Sequence, residues 1–158
     1  MSGRVRDRVV IVTGGGGGIG SAACRAIADE GGKIVVADLD AARAAAVAED
    51  IVRNGGVAES LGVDVTDRAQ VRRMVAAAVE AFGELNVIFN NAGMNRPRDF
   101  MDVDEANFEE IVRVNTWGVI VCTQEAARRM IEQGSGGKIV NTGSIASRAS
   151  PLRRAGPV

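Results

Sequence analysis

Thr13-Gly14-x-x-x-Gly18-Ile19-Gly20 follows directly on the apolar run Val9–Val12 and leads into an alanine-rich stretch. Residues of this kind are suited to holding a phosphate. Glycines leave backbone N–H groups free of side-chain bulk, and the start of a helix adds a favourable dipole for an anion. Five consecutive glycines, Gly14 to Gly18, blur the register, because Gly15, Gly17 and Gly20 also satisfy G-x-G-x-x-G. No lysine follows the run, so it is not a nucleoside-triphosphate loop. Asp38 stands 18 residues after Gly20, with Leu39 next to it. A carboxylate at roughly that offset, about 20 residues, accepts hydrogen bonds from the hydroxyls of an adenosine ribose and repels a 2′-phosphate. No basic residue lies in the turn or directly after Asp38, and Arg43 is the nearest, one helical turn on. The pattern therefore predicts a bound dinucleotide, NAD in preference to NADP. Read alone, Asp38 could equally begin the turn into the next helix.

Other chemistry is sparse. There is no histidine, which removes the commonest general base and metal ligand, and no metal site is expected. There is no tyrosine either. Cys24 and Cys122 fall within separate apolar helical patterns and read as buried, reduced thiols of a cytoplasmic protein.

The elements that must position these residues alternate between strand and helix. Strands are predicted at Val9–Val12, Ile34–Ala37, Val57–Val63, Leu85–Asn90 and Lys138–Thr142. Helices are predicted at Ser21–Glu30, Ala41–Arg53 and Asp67–Phe82, the last with Thr66 as its N-cap and Gly83 as its stop. Met94–Asp102 reads as loop. Asp104–Val114 and Thr116–Gln133 read as two helical stretches meeting near Asn115, which on its own could be a helix breaker. Such alternation implies an α/β fold: a Rossmann-like parallel sheet in the order 3-2-1-4-5 with helices on both faces. Residues 1–158 are expected to form one NAD(P)-binding domain, since composition shows no boundary.

Composition narrows the partners. Hydrophobic residues make up 46% of the chain and charged residues 25%, with a net charge of −1, which is ordinary for a globular protein. Basic residues are scattered, so no nucleic-acid or anionic-membrane surface is expected. The densest basic group, Arg68, Arg72 and Arg73, reads as the solvated face of a helix. No apolar run approaches the roughly 20 residues of a membrane span, and the polar stretch Met1–Arg8 does not resemble a signal peptide.

In order and spacing these segments resemble the short-chain dehydrogenase/reductase family in its single-domain form. Thr13-Gly14-x-x-x-Gly18-Ile19-Gly20 matches the family's glycine motif. Asp64-Val65 matches the acid-plus-apolar pair that holds the adenine ring. Asn90-Asn91-Ala92-Gly93 is similar to the N-N-A-G segment that supports the sheet and lines the cofactor site. Asn115, within Val114-Asn115-Thr116, matches the asparagine of the catalytic tetrad, and Gly137 to Ser144 matches the fifth strand and the catalytic serine, Ser144. The resemblance implies hydride transfer between nicotinamide C4 and the carbon of a small alcohol or carbonyl substrate.

It also implies a tyrosine and a lysine in a Y-x-x-x-K segment a short way after the serine, near Gly156 to Val158. The sequence has no tyrosine, and its only lysines are Lys33 and Lys138. Arg153 and Arg154 cannot replace them, because a guanidinium does not cycle a proton. The chain is thus expected to be the N-terminal portion of such an enzyme, truncated after the fifth strand and inactive or weakly active. Two alternatives stand beside this: a non-catalytic NAD-binding regulatory module, and a half-enzyme completed in trans by a C-terminal partner. The fifth strand is expected to be a sheet edge. The family's homo-oligomer helices imply that Val119, Cys122, Ala126 and Met130 are partly exposed and the chain is prone to aggregate.

Overall fold

The computed structural model describes residues 3–144. The chain runs β1 (Val9–Thr13), α1 (Gly18–Asp29), β2 (Lys33–Asp38), α2 (Ala41–Arg53), β3 (Val57–Gly62), α3 (Arg68–Phe82) and β4 (Val87–Asn90). It continues through a short 3₁₀ turn (Phe100–Asp102), α4 (Glu105–Val112), a π-helical turn (Arg113–Gly118), α5 (Val119–Glu132) and β5 (Lys138–Asn141). The strands form one parallel sheet in the order β3-β2-β1-β4-β5, as the alternation predicts.

β1 is central and buried along its whole length, which its sequence Val-Val-Ile-Val-Thr makes favourable on both faces. Side chains alternate across the sheet. Val10 and Val12 face α1 and α2, packing with Cys24, Ile34, Val36, Val47 and Ile51. Val9 and Ile11 face the other layer, where Val71, Met74, Ala78, Val121, Cys122 and Ala126 come from α3 and α5. Each fully buried aliphatic side chain contributes about 1.5–3 kcal/mol. Both thiols are buried. Burial pushes Cys122 up to about 12, and does the same to Cys24 against the lowering pull of Arg25, so neither is a reactive thiolate at neutral pH.

Caps set the helix starts. Asp40 accepts from the Ala42 and Arg43 amides at the head of α2. At α3 the cap is Asp67, not Thr66, and it accepts from Ala69 and Gln70. Both residue types cap well, and it is Asp67 that has the extended backbone of a cap, φ −97° and ψ 106°, directly before the helix. Gly83 closes α3 with φ 90°, a left-handed conformation that glycine adopts without strain. The stretch predicted as loop before α4 includes the 3₁₀ turn, because its residues lack an apolar repeat that would announce it. Asn115 does not break the helix: α4 and α5 run on through the π turn that contains it.

The expected exposure of α5 is overturned. Cys122, Ala126 and Met130 are buried and Val119 is half-buried, because this face of α5 lies on β4 and α3 rather than outward. Exposed apolar side chains on the outer face are instead Trp117, Ile120 and Ile131. On the opposite side of the sheet, a cleft of about 620 Å³ runs between α1 and β4–β5, lined by Val10, Ala23, Ile27, Val87, Phe89 and Val140. β5 is exposed throughout and ends the sheet order among the described residues.

The arginines of α3 do more than meet solvent. Glu125 of α5 is only 7% exposed and forms ion pairs with Arg68, Arg72 and Arg128, while Arg68 also lies over the Trp117 ring. Burial alone would raise the Glu125 carboxyl. Hydrogen bonds from Arg68 and Arg72 and the charge of Arg128 outweigh it, and hold the group below its ordinary value of 4.5. A carboxyl depressed in the folded state adds stability above its unfolded value, and that contribution is lost as pH falls through the folded one. Glu125→Gln is expected to cost about 1–2 kcal/mol at neutral pH. This is less than the roughly 3–5 kcal/mol of a fully enclosed pair, because the guanidinium groups are partly in water. The variant's urea midpoint is expected to fall less than that of the parent between about pH 5 and pH 3. Parallel acid limbs in the two titrations would exclude this role.

Candidate functional site

The residues singled out in the sequence converge on one edge of the sheet. Thr13, Asp38 and Asn90 end β1, β2 and β4, and parallel pairing brings those ends level, with Thr13 beside Ala37 and Asn90 beside Asn141. The chain leaves β1 toward β2 on one side and returns to β4 on the other. A crevice forms where the order reverses, above the carboxyl ends of β1 and β4.

The glycine turn folds back on this crevice. Gly14 has φ 64°. The Gly15 amide donates to the Ala37 carbonyl, and the Gly17 amide to the Gly14 carbonyl. A Cβ on Gly20 would lie 2.1 Å from the Gly14 oxygen, so α1 can start this close to β1 only with glycine there. Around Gly18 a Cβ would meet nothing within 4 Å. Gly17 caps α1 without a side chain, and no acid lies in the first turn. The amides ahead of Ser21, whose N–H makes the bond to the Gly17 carbonyl, are those a helix start leaves without an acceptor in the helix. Ile19 is 69% exposed.

Thr13 joins the turn to β4. Its hydroxyl oxygen accepts from the Asn91 and Ala92 amides, both at 3.1 Å, and donates to the Phe89 carbonyl at 3.4 Å. Asn91 returns the connection: its Nδ2 donates to the Thr13 and Gly14 carbonyls, and its Oδ1 accepts from the Thr142 hydroxyl after β5. Asn90, buried beneath, donates to Thr123 and Asn141. The N-N-A-G segment thus ties β1, β4, β5 and α5 together.

Asp38 bridges two backbones. Oδ2 accepts from the Gly16 amide and Oδ1 from the Asp40 amide, both at 3.0 Å. Leu39, 76% exposed, stands beside it as an apolar surface with no core to join. Beyond β3, Asp64 accepts from the Thr66 amide and its own amide donates to Gln70. Val65 is buried against Gly118 in the π turn. Gly93 and Met94 meet Asn115, whose amide pairs with both backbone groups of Met94, accepting at 2.8 Å and donating at 2.9 Å. These two bonds satisfy the Asn115 side chain and tie the π turn to the backbone at Met94. Ser144 lies three residues beyond the end of β5. The positions near Gly156 to Val158, and Arg153 and Arg154, lie outside the described residues.

Sequence reasoning missed Gly16 and Gly118. Gly16 gives Asp38 its amide partner, and Gly118 leaves room for Val65; a Cβ there would lie 2.7 Å from Val65 Cγ2. One glycine among five carries no positional signal. Gly118 is legible only once α5 is known to cross the segment after β3.

A parallel sheet in this order, with a glycine turn at its first βα junction and an acid ending its second strand, is a Rossmann-like fold. The family model for short chain dehydrogenase matches residues 8–155, and the chain belongs to the short-chain dehydrogenase/reductase family of oxidoreductases. Its relatives include an L-rhamnose 1-dehydrogenase (NAD(P)(+)) of Azotobacter vinelandii, 41% identical over 89% of this chain and 57% of its own length. The (-)-isopiperitenol/(-)-carveol dehydrogenase of Mentha piperita is 36% identical over 98% and 57%. Among solved structures, a short-chain type dehydrogenase/reductase from Mycobacterium marinum superposes with a TM-score of 0.91 at 30% identity, covering 96% of this chain and 61% of that one. A 7α-hydroxysteroid dehydrogenase complexed with NADH and 7-oxo glycochenodeoxycholic acid gives 0.87 at 29%, covering 94% and 58%. The chain therefore spans little more than half the length of the relatives it matches. Among the described residues no helix is long and apolar enough to cross a membrane.

Proposed function

We propose that the crevice holds NAD and that the whole protein moves a hydride between it and a small alcohol or carbonyl compound. The observation that carries this is the pairing of an uncapped α1 N-terminus, open at Gly18, with the Asp38 carboxylate across Gly16. That spacing suits a pyrophosphate at one end and a ribose at the other. In this reading the backbone of Gly14, Gly18, Ile19 and Gly20 holds the pyrophosphate, with Thr13 fixing the turn from below. Asp38 accepts from the ribose hydroxyls, and its charge favours NAD over NADP. Leu39, Asp64 and Val65 flank the adenine. Asn91, Ala92 and Gly93 border the nicotinamide half.

When bound, NAD supplies the hydride acceptor. Ser144 orients the substrate oxygen by a hydrogen bond. Asn115 holds the backbone at Met94 and positions water for proton transfer. Tyrosine, whose phenol the resemblance makes the proton donor and acceptor, is absent from the sequence. These 158 residues as they stand are accordingly proposed to bind cofactor and turn over little or nothing. We place the chain in the cytoplasm, a compartment that keeps thiols such as Cys24 and Cys122 reduced.

Calorimetric titration with NAD tests the reading. Binding is expected, and Asp38→Ala is expected to weaken it about tenfold to a hundredfold, the worth of hydrogen bonds to a charged group. Silence at millimolar NAD would refute the assignment. Recovery of dehydrogenase turnover on adding the C-terminal half of a relative would separate missing chemistry from a purely regulatory role.

A further inference from the structure

The amino ends of the strands carry a second concave surface, at the opposite edge of the sheet from the crevice. Arg8, Asn86 and Gly137 each stand directly before a strand, β1, β4 and β5 in turn. Together with Arg4, Lys138 and the turn at Ser135 and Gly136 they line a pocket of about 270 Å³, and no acidic residue is among its lining. Arg4, Arg8 and Lys138 are exposed and form no ion pair among the described residues. Glu30 accepts from the Arg4 amide at 3.4 Å but lines the adjoining apolar cleft instead. Three unpaired cations around one hollow raise its potential, and an anion between them is favoured.

The floor of this pocket holds a buried donor with nothing to donate to. Asn86 is 6% exposed. Its Oδ1 accepts from the Val9 amide at 2.7 Å, which fixes the orientation of the carboxamide. Nδ2 has no acceptor among the described residues, and it is not among the side-chain atoms sealed from solvent without a partner, which are Asn90 Oδ1 and Arg129 Nε. It therefore reaches the pocket that Asn86 lines. The turn beside it is firmly held. Gln133 Nε2 donates to the Leu85 carbonyl at 2.7 Å and to Ser135 Oγ at 3.0 Å. At Gly137 a Cβ would lie 3.0 Å from the Asn86 carbonyl oxygen. The Ser135, Gly136 and Gly137 amides have no acceptor among the described residues, and Gly136 has φ 71°. Successive free amides in such a turn form an anion-binding concavity.

We propose that this pocket is a phosphate site, which binds a small anion through one phosphate group and is separate from the dinucleotide crevice. Asn86 Nδ2 and the turn amides donate to the phosphate oxygens, and Arg4, Arg8 and Lys138 offset its charge. The donors come from the floor, from one wall and from the rim. A phosphate carries oxygens in three directions and can meet all of them, whereas the two oxygens of a carboxylate lie in one plane. None of these residues belongs to the crevice, so the site stands independently of the dinucleotide reading.

The test is a titration of the isotope-labelled chain with inorganic phosphate at constant ionic strength, followed by amide proton–nitrogen correlation spectra, with chloride as the reference. Saturating shifts are expected at Ser135, Gly136, Gly137 and the Asn86 side-chain amide with phosphate and not with chloride. Gly18 and Gly20 report the crevice separately in the same spectra. Glycerol phosphate, titrated in parallel, distinguishes a free phosphate ion from the phosphate of a larger molecule by which of the two binds more tightly. Asn86→Asp keeps the oxygen that Val9 uses and turns the floor donor into a carboxylate, and is expected to weaken phosphate at least about tenfold. Lys138→Gln, at an exposed position, is expected to weaken it about threefold. Shifts that match those with chloride overturn the proposal, and so does an affinity within twofold of the parent in Asn86→Asp. Should Asn86→Asp not fold, Lys138→Gln decides alone, and an unchanged affinity there overturns the proposal. NAD titration is expected to be the same in Lys138→Gln and the parent, so failure of either reading leaves the other standing.

Discussion

Gly20→Ala is expected to abolish cooperative folding, whereas Gly18→Ala, two residues earlier in the same run, is expected to fold normally and lose cofactor affinity. Alanine at position 20 would put its Cβ 2.1 Å from the Gly14 carbonyl oxygen, 2.8 Å from the Gly14 carbonyl carbon and 2.9 Å from Asn91 Nδ2. Two of those atoms are backbone, fixed by the central strand and by the Thr13–Asn91 connection, so relief requires moving α1 off the sheet. Ordinary overpacking costs about 1–3 kcal/mol, and a backbone clash this deep is expected to exceed that. Against a total stability of about 5–15 kcal/mol, such a loss is decisive. Position 18 is the internal control. A Cβ there meets no atom within 4 Å, and alanine suits a helix better than glycine by about 0.5–1 kcal/mol. The same methyl would occupy the space proposed for the pyrophosphate, so NAD affinity is expected to fall about tenfold or more. Urea melts followed by circular dichroism, with NAD titration of whatever folds, read both arms. A Gly20→Ala midpoint close to that of the parent would show that the turn is not held as described.

Thr13→Val is expected to cost about 2–4 kcal/mol, while Thr13→Ser costs no more than about 1.5. Valine keeps the shape and removes the oxygen. Thr13 is 1% exposed, and its oxygen accepts from two amides, Asn91 and Ala92. Each loses its acceptor in a site with little water, at about 1–3 kcal/mol apiece. Serine keeps the hydroxyl and gives up only a methyl. Chemical denaturation gives the magnitudes, and amide hydrogen exchange gives the location. Exchange at Asn91 and Ala92 should accelerate in the valine variant and not in the serine variant. Equal stability of the two would mean that packing, not the hydroxyl, makes position 13 important.

The two substitutions probe features of different legibility. The glycine turn, the order of the sheet and the Asp38 position are readable from the sequence because each depends on local spacing: a short apolar run, a glycine run, an acid at a fixed offset. The α2 boundaries, Ala41 and Arg53, are readable for the same reason, with Asp40 before them and Asn54-Gly55 after. What is not readable depends on contacts between distant segments. Glu125 looks like one more surface acid on an amphipathic helix until α3 brings Arg68 and Arg72 against it. Resemblance to an assembly implies an outward face for α5, whereas its packing on β4 and α3 turns that face inward. Asp67 and Thr66 are both good caps, and only the backbone path after β3 chooses between them. Asn115 reads as a breaker by type, yet its side chain meets Met94, 21 residues earlier, and the helix accommodates the detour.

That accommodation has a consequence for how this chain can change. A π turn holds one residue more than the α-helix it interrupts, so the Arg113–Gly118 segment acts as a phase shifter between α4 and α5. Deleting one residue there would regularise the helix and, by the same act, rotate everything after it by about 100°. Val121, Cys122, Ala126 and Met130 would swing off the sheet, and Glu125 away from its arginines. A smoother helix would make a worse protein. Insertions and deletions within this turn are therefore closed to drift, even though most of its residues are exposed to solvent.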